Sequence, residues 1–186
     1  YGPEATAGFF TGIALISLTL PLNQGFETAA TTLVGQAIGA RDYTRAESVF
    51  RLSALLGFAA MAIFSVIFAF GANPAVLSYL FQEISAISID HARTYTILLC
   101  LVMPLMGVSY SIAGGLRGAG KTVGPLIGAI IGVYGGRIAF AFLIYYLFHP
   151  PVYVIWCSMF PDLIIRIVIM AIQLKSGKWK TAKVKL

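Results

Sequence analysis

The sequence predicts an all-α fold, a polytopic transmembrane helix bundle of about five spans. Three observations predict it: an excess of apolar residues, their grouping into five long segments, and the gathering of Lys and Arg in every second connection. Of the 186 residues, 59% are hydrophobic and 11% charged, and the mean hydropathy is +0.87. Soluble domains average about 45–50% apolar and about 25% charged residues. A soluble core of this length has no room for the surplus, whereas a bilayer does. Crossing the hydrocarbon takes about 20 apolar residues, so five or six spans are the ceiling.

The first apolar segment covers roughly residues 8–38, longer than one span requires. It contains Pro21, Asn23, Gln24 and Gly25, so one long helix kinked or unwound near Pro21 is expected. Glycine and charge stop it at Gly39, Arg41 and Asp42. The second segment covers 49–70 and halts at Asn73-Pro74. Residues 74–90 are too short and polar to span, but Ala75, Val76, Tyr79 and Leu80 form one face of a short interfacial helix. The third covers 93–116 with Pro104 inside, and the fourth covers 123–147 and ends at His149-Pro150-Pro151. The fifth covers 152–174 and enters a basic tail, 175–186.

The net charge of +6 is a topology signal and gives no reason to expect nucleic acid as a partner. Arg41, Arg45 and Arg51 lie in the first connection, Arg117 and Lys121 in the third, and Lys175, Lys178, Lys180, Lys183 and Lys185 in the tail. The intervening connections carry Glu83 and Asp90, with Arg93 at the boundary, and His149; Glu4 precedes the first helix. The lysine-rich tail is therefore expected in the cytoplasm and Tyr1 outside, in a multi-pass protein of the cell membrane. Tyr1 opens the chain without a basic segment or cleavage site, so it reads as a chain cut in mid-protein and not as a signal peptide. Cys100 and Cys157 lie in apolar runs and read as buried hydrophobes, with neither a disulfide nor a metal site expected.

Four ionisable residues fall within apolar segments: Glu27, Arg137, Asp162 and Arg166. Such residues are costly in hydrocarbon and face protein or water. Counted from Gly39 at about 1.5 Å per residue, Glu27 lies about 18 Å in, near the midplane. Gln24, Thr28, Thr31 and Gly35 recur at helical spacing as a polar stripe bordered by Glu27. The stripe reads either as the wall of a water-filled cavity or as interhelical hydrogen bonding. Asp162 and Arg166 are spaced to pair, and Arg137 falls at similar depth in the neighbouring segment, so a self-neutralising structural cluster of the three is expected. Tyr145, Tyr146 and Trp156 are expected at the interface or facing lipid. Gly118-Ala119-Gly120-Lys121-Thr122 imitates the end of a phosphate loop but follows no strand, so a tight turn is expected. His91 and His149 fall in separate loops and give no metal spacing. No nucleophile–base pair or metal cluster occurs at one depth, so an enzyme is not expected.

Residues 32–42 (TLVGQAIGARD) with Ala46, residues 114–125 (GGLRGAGKTVGP), Arg137, and Asp162 with Arg166 together resemble the multidrug and toxic compound extrusion (MATE) transporters, in the order of their C-terminal half. The resemblance covers nearly the whole chain. It implies one lobe of a two-lobed transporter, lacking here the seventh helix and the N-terminal bundle. It further implies a secondary antiporter that expels drugs or toxic compounds, cationic or amphipathic, in exchange for H⁺ or Na⁺, with no cofactor. The Gln24–Gly35 stripe would line the cavity between lobes, with Asn23, Ser109 and Tyr110 as further candidates. The chain departs from the family in three places. Lys121 stands where Asp is usual, Met106 where some members carry an acid, and Glu27 where a small or neutral residue is usual. A flippase for lipid-linked precursors, of the same superfamily, would need several inward basic residues, and the sequence offers Arg137 and Arg166. A membrane scaffold would need no polar stripe.

Overall fold

The computed structural model describes residues 2–81 and 85–181. The expectations resting on Tyr1, Glu83, Lys183 and Lys185 lie outside the described residues. The fold is all-α. The helices are α1 (Gly2–Ser17), α2 (Leu20–Gly39), α3 (Tyr43–Gly71), α4 (Pro74–Leu80), α5 (Ala86–Gly118) and α6 (Val123–Ile130). A π-helical segment (Ile131–Ala139) joins α6 to α7 (Phe140–Phe148), and α8 (Val152–Trp156) and α9 (Met159–Lys175) follow. A short 3₁₀ turn, Lys178–Thr181, comes after α9. Among the described residues four helical stretches are long and apolar enough to cross a membrane, or five when α1 and α2 count as one bent span.

The bend between α1 and α2 is 43°. It falls at Leu18 and Thr19, just before Pro21, because proline's fixed φ suits the first turn of a helix and not its interior. Thr19 donates its hydroxyl to the Ile16 carbonyl (2.7 Å), and Asn23 donates its side-chain amide to the Thr19 carbonyl (3.3 Å). Asn23 is fully buried in this joint, so it supports the bend instead of lining a cavity. The helices run further than the apolar segments do. α1 starts at Gly2 and takes in Glu4, and α3 starts at Tyr43, capped by Asp42, whose side chain accepts from the Arg45 amide (2.9 Å). α5 starts at Ala86, so Asp90, His91 and Arg93 are helical and not in a loop. In α4 the side buried against the bundle is Leu77, while Val76, Tyr79 and Leu80 stay exposed.

Two turns share one geometry. After α5 the Lys121 amide donates to the Leu116 carbonyl (2.8 Å) and the Gly120 amide to that of Arg117 (2.9 Å). After α2 the Asp42 amide donates to Ala37 and the Arg41 amide to Ile38, both at 2.9 Å. Both are Schellman closures, which put the residue after the cap in the left-handed region. Gly120 does this at φ +72°, whereas Arg41 does it at φ +58° with a side chain in place.

α5 is the hub, and glycines make it one. Small residues let membrane helices approach backbone to backbone, where dispersion replaces the missing hydrophobic drive. Gly8 and Gly12 of α1 lie against Ala92 and Tyr95. Gly57 of α3 faces Gly107, and Ser65 donates to the Cys100 carbonyl (2.5 Å). Gly114 and Gly118 receive α2. At one end of the bundle a buried cluster gathers Val34, Ala37, Ala46, Phe50, Leu116, Met170 and Trp179. The arginines and lysines of the first and third connections therefore share an end with α9's terminus. The start of the tail folds back there: Trp179 is buried, its ring 5.2 Å from that of Phe50, its indole N–H donates to the Leu174 carbonyl (2.9 Å), and Lys180 pairs with Glu47 (2.6 Å). Trp156 also departs from expectation. It is 7% exposed, with its ring 5.0 Å from that of Tyr95, because α8 turns it inward against α5, whereas Tyr145 and Tyr146 are exposed.

Candidate functional site

Two seams between helices hold the membrane-depth charges. In the first, the Gly114 and Gly118 backbones lie on the Glu27 and Thr31 carbonyl oxygens, where a Cβ on either glycine would collide. The Thr31 hydroxyl bonds both its own helix, at the Glu27 carbonyl (2.8 Å), and the facing one, at the Gly114 carbonyl (3.0 Å). Thr31 thus works in helix packing. Beside it the Glu27 carboxylate pairs with the Arg117 guanidinium across the seam. Arg117, a connection residue by sequence, sits in the last turn of α5. The reach of arginine's stem lets a residue at a helix end place its charge one turn deeper. The same contact revises the depth of Glu27. It lies level with the final turn of α5, because α2 runs on past its partner to Gly39. Gln24 and Thr28 are exposed beyond this seam, away from α5.

In the second seam, Gly132 and Gly136 lie against Asp162. Asp162 is buried and takes both bonds from Arg166: Nε donates to Oδ1 (2.6 Å) and a terminal nitrogen to Oδ2 (3.1 Å). Arg137 is not in this pair, and no ion-pair partner of Arg137 occurs among the described residues. The reason is local. Gly136 occupies the face turned to Asp162, and the next residue of a helix points elsewhere. The expected cluster of three is therefore a bidentate pair plus a separate guanidinium.

A series of cavities that share lining residues borders these charges. One of about 500 Å³, at the end opposite the buried Trp179 cluster, is lined by Phe9, Tyr95, Arg137, Phe142, Trp156 and Met159. A second of about 280 Å³ shares Tyr95, Arg137 and Met159 with it and adds Met106, Tyr110, Asp162 and Arg166. A third of about 140 Å³ shares Tyr110 and Arg166 with the second and reaches Ser109, Glu27 and Arg117. Ser109 and Tyr110 thus border the innermost cavity. Sequence reasoning missed Arg117 and Tyr95. The signal for Arg117 was its position one residue before the Gly118 turn on a helix facing Glu27. Nothing in the pattern around Tyr95 singled it out.

The arrangement holds paired charges and water-sized space at membrane depth. Such an arrangement can bind a polar group and exchange one ionic partner for another. The MatE family model matches residues 1–143. The chain is also similar to the "Probable multidrug resistance protein NorM" of Thermotoga maritima, 28% identical over 180 residues. That alignment covers 96% of this chain and 38% of the relative, so the chain spans well under half the relative's length.

Proposed function

This chain belongs to the MatE family, and from that premise we propose that it forms one transmembrane lobe of a secondary antiporter exporting drugs or toxic organic compounds in exchange for H⁺ or Na⁺. The relative's name supports the substrate class, since that protein is named for multidrug resistance. The observation that carries the mechanism is the Glu27–Arg117 pair, which joins two helices beside a cavity. An ion pair between helices is broken when they part, so its carboxylate alternates between a guanidinium and whatever occupies the cavity. In alternating access two bundles rock around a central site. The facing bundle would come from the length of protein this chain does not span. Exposed Gln24 and Thr28 would then face it. Glu27 would take a proton when Arg117 withdraws and release it to a cationic or amphipathic substrate. The basic end of the bundle would lie in the cytoplasm of a cell-membrane protein.

Gradient-driven efflux in proteoliposomes tests this, using the protein with its native flanking sequence and ethidium as the reporter. Efflux should follow an imposed H⁺ or Na⁺ gradient. Glu27→Gln should abolish it at matched protein levels, and Glu27→Asp should keep part. Absence of gradient-driven efflux from the unaltered protein would count against transport itself. Normal efflux by Glu27→Gln would remove Glu27 from the coupling. A flippase of lipid-linked precursors is the second reading. Arg117 adds a third guanidinium beside the cavities, yet carboxylates hold two of the three, so a pyrophosphate would meet Arg137 alone.

A further inference from the structure

We propose that Arg137 is the anchor of a binding site for amphipathic organic anions, in which a carboxylate, sulfonate or phosphate sits on the guanidinium and an aromatic body lies among Phe9, Tyr95 and Trp156. Three observations converge. The first is charge. Three arginines and two carboxylates border the three cavities, with Asp90 in a neighbouring one that shares Ala5 and Val152 with the first; Glu27 is held by Arg117 and both oxygens of Asp162 by Arg166. Among the described residues that border the three cavities one positive charge remains, Arg137, and it is a guanidinium, which does not shed its proton in a protein. A lone charge at membrane depth is costly until a counter-ion meets it.

The second observation is space. Arg137 borders two cavities at once, and the larger, about 500 Å³, falls within the roughly 300–1,000 Å³ of small-molecule sites. The third is lining. Tyr95 and Trp156 are fixed edge to face, and Phe9 lies against Tyr95 with ring centroids 5.0 Å apart, which gives a preformed aromatic wall beside one charge. Such a wall with a single fork of donors suits a flat aryl anion, because a guanidinium grips an oxyanion through two parallel hydrogen bonds. The π-helical turn places Arg137 there: Gly136 faces α9 and Arg137 faces the cavities. Among the described residues both carboxylates that border these cavities are held by arginines, so a cation has first to displace a guanidinium, as the transport reading requires at Glu27, whereas an anion meets Arg137 directly.

This deepens the transport reading and rests on it only for the fate of the ligand; binding is therefore measured apart from efflux. The protein with its native flanking sequence, in neutral detergent without anionic lipid, is titrated with anilinonaphthalene sulfonate and with phenylnaphthylamine, the same rings lacking the sulfonate. Arg137→Met should weaken the sulfonate by about tenfold or more, the loss expected for a charge-assisted hydrogen-bonded contact, and leave the neutral dye unchanged. Arg137→Lys should keep part of the sulfonate affinity. Ala141→Phe, which fills the cavity and leaves the charge, should weaken both dyes. Energy transfer to the bound dye should fall in Trp156→Phe. Equal sulfonate affinity in the unaltered protein and Arg137→Met overturns the proposal and places the counter-charge of Arg137 on another part of the protein. Should Arg137→Met not fold, unchanged sulfonate binding by Ala141→Phe overturns it equally. Binding without efflux would leave the site standing and remove the transport reading.

Discussion

The two charged seams are built from the same parts and differ in how the parts are shared. In each, a pair of glycines four residues apart lets one helix lie on the backbone of another, and a carboxylate with an arginine sits at the contact. Between α2 and α5 the pair bridges two helices, Glu27 on one and Arg117 on the other. At the second seam both charges belong to α9, and the glycine-bearing π-helical segment contributes none. A bridging pair senses helix separation, whereas a pair within one helix travels with it intact. The second seam also leaves the arginine of the opposing segment, Arg137, without an ion-pair partner among the described residues.

Solvent access separates the seams further. The Asp162 and Arg166 side chains are 5% and 27% exposed, those of Glu27 and Arg117 18% and 49%. Breaking a buried pair strands a charge in low dielectric, whereas breaking an exposed one releases it to water.

The largest expected effect comes from the glycines. A side chain on Gly114 would meet the Glu27 backbone, which cannot yield without moving α2, so Gly114→Val should cost more than about 4–5 kcal/mol and abolish folded protein. At Gly132 two of the nearest atoms belong to the Asp162 and Arg166 side chains, which can rotate, and one to the Asp162 carbonyl at 2.9 Å, so Gly132→Val should be costly but milder than Gly114→Val. Gly35→Ala has only an ordinary contact, 3.4 Å from the Gly118 carbonyl oxygen, and should fold normally. Monodisperse yield in detergent ranks the three; equal yields from Gly114→Val and Gly35→Ala would refute the seam.

Next comes Arg166→Met, which strands Asp162 and should cost about 3–5 kcal/mol. Pairing it with Asp162→Leu should recover most of the loss in thermal midpoint. If the single change is harmless, Asp162 draws on another cation and the seams do not differ as described. The smallest effect on stability should be that of Arg117→Met. It strands Glu27, whose side chain is 18% exposed against 5% for Asp162, so a loss smaller than that of Arg166→Met is expected. A loss as large as that of Arg166→Met would make the first seam as structural as the second.

The legible part of the site was whatever a periodic pattern can announce. Asp162 and Arg166 are four residues apart on one helix, so spacing alone pairs them. Glu27 was visible as a charged residue inside an apolar run, while Ser109 and Tyr110 came only as what the family resemblance implied. Which of them touch was not visible, because partners on different helices depend on crossing positions that no local spacing encodes. Arg117 counted as a loop charge until the seam put it opposite Glu27, and Asn23 counted as a cavity residue until the bend enclosed it.

Apolar segments long enough to cross a bilayer, the punctuation of Pro21, Arg41, Gly120 and His149, and the alternation of basic connections determined the all-α bundle by themselves. Each is a local property, since span length follows from helix rise and helix ends from backbone conformation. Tertiary structure alone decided that α5 is the hub, that Trp156 and Trp179 turn inward, and that Arg137 stands apart from Asp162. Those outcomes rest on how closely two backbones approach. The glycines permit that approach, but only the packed helices show which surfaces meet.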